Sequence, residues 1–209
     1  NIIYASTCSV YGANDKLLSE KSRILPLSIY ALTKYSSEIS LKQSKLDYTI
    51  FRMGTLFGIS PRMRFDLVIN GFIAKALTEN KITVFGGKQW RPFLHLEDAC
   101  SFYLKCIEDG IFLNRIFNIG GFNIKILELT RLLKKKLNCD IEIVKELVDP
   151  RNYRIDSSLA IRTFKIKPRK NIEDGIEEIK KAFDNGIIKD STLPIYSNME
   201  HLRNMKVKM

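Results

Sequence analysis

Asn1-Ile2-Ile3-Tyr4-Ala5-Ser6-Thr7-Cys8-Ser9-Val10-Tyr11-Gly12 begins with an uncharged apolar run and ends in small residues and a glycine. A run with no polar alternation reads as a strand buried on both faces, which is how strands of a parallel sheet read. The small residues that follow read as a turn. After a polar loop to Pro26 and Leu27, Ser28 can cap a helix from Ile29 to about Lys45. Tyr48-Thr49-Ile50-Phe51-Arg52-Met53 is the next strand, and Gly54 and Gly58 bracket a loop.

The alternation continues outward. Asp66 can cap an amphipathic helix to about Glu79, Ile82-Thr83-Val84-Phe85-Gly86-Gly87 is a short strand and turn, and Trp90 to His95 is extended. Glu97 and Asp98 start a helix that carries Ala99, Phe102, Tyr103, Cys106 and Ile107 at helical spacing. Ile116 to Ile119 is a strand, Ile126 to Leu137 a helix and Ile141 to Val144 a strand, with helices near 157–164 and 172–183. Strands alternating with helices specify a layered α/β fold. The last stretch, 191–209, reads as a charged tail without clear periodicity.

With 209 residues and 45% hydrophobic content, the chain can bury a sizeable core. Its net charge of +11 raises a polyanionic partner, but the excess lies in lysine runs such as Lys134-Lys135-Lys136 and near the C-terminus. That distribution fits solvated helix faces better than a groove interleaved with aromatics, so no nucleic-acid partner is expected. Cys8, Cys100, Cys106 and Cys139 lack Cys-x-x-Cys spacing, and with only His95 and His201 available no metal site is expected. A reduced cytoplasmic protein is the expectation, without a membrane span, because no apolar run reaches about 18 residues.

Tyr30 and Lys34 stand at i and i+4, on one face of the first helix. A cation beside a phenol favours the ionised form, so such a pair can act as a general base. Taken alone, a Tyr-x-x-x-Lys spacing also occurs in helices where the tyrosine is merely solvated. The context is more specific. A strand ends in Ser6-Thr7 and runs on through Val10-Tyr11-Gly12. Downstream come Phe51-Arg52-Met53-Gly54-Thr55-Leu56-Phe57-Gly58, Arg91-Pro92-Phe93-Leu94-His95-Leu96-Glu97-Asp98, Phe117-Asn118-Ile119-Gly120, and Asp149-Pro150-Arg151-Asn152-Tyr153-Arg154-Ile155-Asp156.

In that order these segments resemble the extended short-chain dehydrogenase/reductase family, in its branch of NAD-dependent nucleotide-sugar epimerases and dehydratases. The resemblance implies the C-terminal part of a doubly wound, Rossmann-like parallel sheet with a smaller α/β substrate-binding lobe. Residues 1–58 and 93–120 would belong to the dinucleotide-binding domain, and 59–92 with 121–190 to the lobe. It implies an NAD(P)-dependent epimerisation or reduction of a nucleotide sugar through a keto intermediate. Tyr30 would take a sugar hydroxyl proton, Thr7 would hydrogen-bond that oxygen, and Lys34 would bind the nicotinamide ribose. Thr7, Tyr30, Lys34 and Gly54 would contact NAD or NADP. Arg91 would grip the nucleotide diphosphate, and Thr55, Thr83, Val84, Phe85, Asp149 and Tyr153 would fall on substrate-side positions. The resemblance further implies a homodimer when complete, a bracing role for His95 and a helix-capping role for Asp98.

The departures from the family pattern matter as well. Relatives that carry out 4,6-dehydration have Asp-Glu after the catalytic threonine, where this chain has Cys8-Ser9, so that reaction is disfavoured. Thr55 stands where many relatives have asparagine, and Glu146 lies near the place of a second diphosphate-binding arginine. The glycine pairs Gly86-Gly87 and Gly120-Gly121 lack Gly-x-Gly-x-x-Gly spacing between a strand and a helix. The expectation is therefore a chain resembling the family from its fifth strand onward. It would act as the catalytic part of such an enzyme, as an inactive remnant, or as a nucleotide-sugar-binding module.

Overall fold

The computed structural model describes residues 1–145 and 149–206. Strand β1 (Ile2–Thr7) leads through a 3-10 turn at Cys8–Tyr11 and a short β2 (Leu17–Leu18) to helix α1 (Ile29–Gln43) and strand β3 (Tyr48–Met53). Then come β4 (Thr55–Phe57), α2 (Val68–Glu79), β5 (Lys81–Phe85), β6 (Trp90–His95) and α3 (Leu96–Glu108). The remainder is β7 (Arg115–Ile119), β8 (Phe122–Lys125), α4 (Ile126–Leu137), β9 (Asp140–Val144), β10 (Arg154–Ile155), α5 (Ser158–Phe164), α6 (Ile172–Asp184) and α7 (Asn198–Lys206).

The central sheet is parallel in the order β1-β3-β7, so Ile2 and Phe117 share it. β3 sits in the middle and is buried almost throughout, which its apolar text requires. Phe51 on β3 meets Phe102, Phe117 and Phe164 in tilted and edge-to-face pairs, clamping α3 and α5 to one face of the sheet. A second, mixed sheet runs β4-β6-β8, and β5 pairs with β9 in parallel. Around these, Ile73, Ile82, Leu129, Leu133 and Ile179 join α2, α4 and α6 in a second core.

Residues 55–57 form a strand inside the stretch read as a loop, paired in parallel with Phe93–His95. Gly58 then turns with φ +104, and a Cβ there would lie 2.5 Å from His95 Nε2, so both conformation and space demand glycine.

Two acidic residues expected as caps do other work. Asp66 does not cap α2, which begins at Val68 with no side-chain cap on Leu67; its carboxylate instead takes both arms of Arg64, at 2.6 and 2.7 Å. Asp98 does not cap α3 either. It accepts the backbone N–H groups of Arg169 and Lys170 at 2.9 and 3.0 Å, and His95 Nδ1 caps α3 through the Glu97 N–H.

Over residues 191–206 the C-terminal segment is more than a featureless tail. Pro194–Tyr196 forms a 3-10 turn whose Tyr196 ring packs 5.3 Å from Phe65, and α7 follows. Tyr196 supplies the apolar anchor that the charged text conceals. Glu146 lies outside the described residues.

Candidate active site

Thr7 ends β1 with extended backbone, and its hydroxyl accepts the Ser9 N–H at 3.1 Å, capping the 3-10 turn. A closed polar network lies beneath that turn. Ser6 Oγ donates to Glu38, Arg52 Nε donates to Glu38 Oε1 at 2.9 Å, and Arg52 Nη1 donates to Tyr11 Oη at 3.0 Å. Tyr11 in turn donates to Asn118 Oδ1 at 2.7 Å. The network ties β1, α1, β3 and β7 together, so the Arg52, Tyr11 and Asn118 of three separate sequence segments form one unit. Glu38 was not singled out from sequence, although it continues the Tyr30 and Lys34 helix face another four residues on.

Burial would by itself lower the Arg52 guanidinium, but the Glu38 hydrogen bonds and the neighbouring charges outweigh it and hold it above its ordinary value. Burial pushes the Tyr11 phenol and the Cys8 thiol up. Cys8 is fully buried and its Sγ donates to the Arg52 carbonyl at 3.1 Å, so it stays a neutral thiol near pH 7.

On α1, Ser28 caps the helix through the Ala31 N–H, as expected. Lys34 Nζ donates to the Ala5 carbonyl at 2.8 Å, lies 5.1 Å from the Tyr4 ring centroid and stands 6.0 Å from that of Tyr30. The Tyr30 ring is 55% exposed, and its hydroxyl has no hydrogen-bond partner among the described residues. Lys34 thus joins the end of β1 to the tyrosine face of α1.

Arg91, Asp149 and Tyr153 come together from positions some sixty residues apart. Arg91 is 4% exposed and donates through Nη1 to the carbonyls of Trp90 and Arg151. Its Nη2 lies 2.6 Å from Asp149 Oδ2 but out of line for a hydrogen bond, so the contact is one of charge and the Nη2 hydrogens have no acceptor. Arg151, which was not singled out, grips the same carboxylate through Nε and Nη2 at 2.9 and 2.7 Å. Burial would raise the Asp149 carboxyl, but the Arg151 hydrogen bonds and the Arg91 charge prevail and bring it down to about 2. Burial, with the neighbouring Arg151 charge, lowers the Arg91 guanidinium against the opposing pull of Asp149.

Tyr153 is 4% exposed, with the Arg91 guanidinium 5.6 Å from its ring centroid. Beside this cluster two cations stand over the Trp90 ring, Lys125 at 5.3 Å and Arg154 at 5.0 Å from its centroid.

The other expected contacts lie apart from this cluster's hydrogen bonds. Thr83 Oγ1 donates to Glu142 at 3.2 Å, Val84 is wholly within the second core, and Phe85 is 47% exposed. Thr55 pairs with Phe93 on β4. Gly54 donates its N–H to Ile119, and a Cβ there would stand 3.1 Å from the Pro92 carbonyl oxygen, so close packing by itself accounts for the glycine. His95 braces: its Nδ1 accepts from Glu97, leaving Nε2–H to donate to Glu178 at 3.0 Å. Among the described residues no group of three or more His, Cys, Asp or Glu could hold a metal ion, and no helix is long and apolar enough to cross a membrane.

The sequence profile of the NAD dependent epimerase/dehydratase family matches residues 1–120. An uncharacterized UDP-glucose epimerase of Bacillus subtilis is 28% identical over 186 residues, covering 83% of this chain and 57% of that protein. UDP-glucuronate 4-epimerase 4 of Arabidopsis thaliana is 28% identical over 211 residues, covering 87% and 47%. This chain therefore spans roughly half to three fifths of such relatives. Among solved structures, UDP-glucuronic acid 4-epimerase from Bacillus cereus, in complex with UDP-glucuronic acid and NAD, superposes with TM-score 0.77 at 28% identity, over 88% of this chain and 61% of that one. A dTDP-glucose 4,6-dehydratase from Bacillus anthracis in complex with NAD gives TM-score 0.77 at 25% identity, over 88% and 62%.

Proposed function

The chain belongs to the NAD dependent epimerase/dehydratase family, and from that premise we propose that it forms the catalytic and substrate-facing part of an enzyme that epimerises or reduces a nucleotide sugar. The observation that carries this reading is the placement of Lys34 between the end of β1 and the exposed Tyr30. Tyr30 takes the proton of a sugar hydroxyl, Thr7 hydrogen-bonds the same oxygen, and Lys34 holds the ribose next to the nicotinamide.

The residues fit that cofactor. Lys34 uses one hydrogen on Ala5 and keeps further donors for ribose hydroxyls, and Tyr30 is open to solvent. When bound, NAD supplies the hydride acceptor and donor. Residues 1–58 with 93–120 serve the cofactor side in this reading, and 59–92 with 121–190 the sugar-nucleotide side.

Arg91 binds the diphosphate. Its Nη2 hydrogens lack an acceptor, and the carboxylate held beside it stands where an anionic oxygen can. Thr55, Thr83 and Phe85 line the nucleotide side, with Val84 contributing backbone only. Likeness to a dehydratase does not carry dehydration, because function follows the site and not the fold. Cys8 is a buried neutral thiol and Ser9 a hydroxyl, and neither replaces an acid–base pair at carbons 5 and 6.

The test is Tyr30→Phe in the full-length protein, assayed with NAD and with UDP-glucuronic acid or UDP-glucose. Turnover should fall by about 10²–10⁴-fold, the usual worth of general acid–base catalysis, while affinity for UDP changes little. Near-full turnover would refute the assignment.

A further inference from the structure

One hydroxyl, that of Ser9, stands between those of Tyr153 and Thr7 in a continuous line that the reaction as described does not use. Tyr153 Oη lies 3.3 Å from Ser9 Oγ, and Ser9 Oγ lies 3.1 Å from Thr7 Oγ1. We propose that Ser9 and Tyr153 are positioning residues that turn the Thr7 hydroxyl toward the sugar oxygen, through a one-way chain in which Tyr153 donates to Ser9, Ser9 to Thr7, and Thr7 to the substrate. The proposal rests on the role given to Thr7 above.

Counting hydrogens sets the direction. Thr7 Oγ1 already accepts the Ser9 N–H at 3.1 Å, and its contact with Ser9 Oγ runs with Thr7 as donor. A hydroxyl has a single hydrogen, so Thr7 can donate to a sugar oxygen only by withdrawing it from Ser9. The contact between the two survives if the Ser9 hydrogen turns to Thr7, and Ser9 Oγ then needs a donor of its own. Tyr153 is the group in place to supply it. Three O–H bonds rotate, no proton changes owner, and no covalent bond forms or breaks.

Tyr153 suits the head of such a chain. It packs among Cys8, Val10, Tyr11, Leu18 and Ile155, and burial pushes its phenol up, so it remains a donor at neutral pH. The same burial means that it acts through Ser9 rather than by touching the sugar, which refines the substrate-side role expected of it. In a low-dielectric setting, hydroxyls aligned head to tail polarise and strengthen one another. Cys8 cannot take over from Ser9, because its thiol is committed to the Arg52 carbonyl.

The experiment compares Ser9→Ala, Ser9→Thr, Tyr153→Phe and the Ser9→Ala/Tyr153→Phe double variant in the full-length protein, with NAD and UDP-glucuronic acid, and uses Tyr30→Phe as reference. Losing one hydrogen bond to the reacting geometry should lower kcat roughly ten-fold for Ser9→Ala and for Tyr153→Phe at unchanged KM. The double variant should lose no more than the worse single one, Ser9→Thr should restore turnover, and calorimetric UDP affinity should stay level. Full turnover in Tyr153→Phe, a loss confined to KM, or additive losses in the double variant, each beside an inactive Tyr30→Phe, would overturn the relay alone. Full turnover in Tyr30→Phe would overturn both the relay and the function it rests on.

Discussion

The floor beneath Thr7 and the cluster around Arg91 are both built on buried arginine, and they use it in opposite ways. Arg52 is 2% exposed and spends its donors on Glu38 and Tyr11, so the charge is paired and the surrounding lone pairs are filled. Arg91 is almost as buried, yet its Nη2 lacks an acceptor and its carboxylate partner is shared with the more exposed Arg151. A closed network holds a geometry, whereas an open one keeps donors for something still to arrive. Breaking a closed buried pair exposes the full desolvation cost of the orphaned charge.

The contrast is broken most directly by removing each arginine in turn. Arg52→Met leaves Glu38 buried without its cation and should cost about 3–5 kcal/mol of stability in denaturant titration. Removing Arg91 should cost far less in the same titration, because Asp149 keeps Arg151 as its partner, and equal losses would erase the difference between the two regions. Next in size, Arg91→Ala should weaken UDP binding by roughly 1.5–3 kcal/mol, the range for hydrogen bonds to charged groups, with little change in the unfolding midpoint. Calorimetry showing unchanged affinity would mean that the unpaired donors are not aimed at a diphosphate.

The smallest effect sharpens the comparison through pH. The Asp149 carboxyl is held near 2 in the folded chain, below its ordinary 3.8. A depressed folded value contributes stability that is fully present above the unfolded value and is lost as pH falls through the folded one. The native chain should therefore lose stability between about pH 4 and pH 2, and Asp149→Asn should flatten part of that limb in urea midpoints measured across the window. An identical limb in the variant would show that the Arg91 and Arg151 contacts do not hold the carboxylate.

Periodicity made much of this fold legible. Strand Tyr48–Met53 and helix Ile126–Leu137 carry enough apolar repeats to set their own limits, and Ser28 caps where its position before the helix says it should. Thr55–Phe57 and Phe122–Lys125 are too short to show a period, so these strands emerge only from pairing with β6. Asp66 and Asp98 misled for a common reason. An acid beside a helix start reads as a cap, but a competing donor decides: Arg64 two residues away in one case, a backbone 71 residues away in the other.

At the site, spacing alone puts Tyr30 and Lys34 on one helix face, while the roles expected of them, like those of Arg91, Asp149 and Tyr153, come through resemblance. The Ser9 to Tyr153 contact spans 144 residues, and no local pattern announces it. Arg151 was hidden in plain sight two residues from Asp149, in a segment whose turn geometry the text does not specify.

The chain has a single tryptophan, next in sequence to Arg91, and Lys125 and Arg154 both stand over its indole. Its near-ultraviolet emission is therefore an unlabelled optical gauge of one place in the molecule. An anion that draws either cation off the ring changes the local field at the fluorophore. Occupancy beside Arg91 can thus be followed by intrinsic fluorescence with no dye, no engineered probe and no turnover.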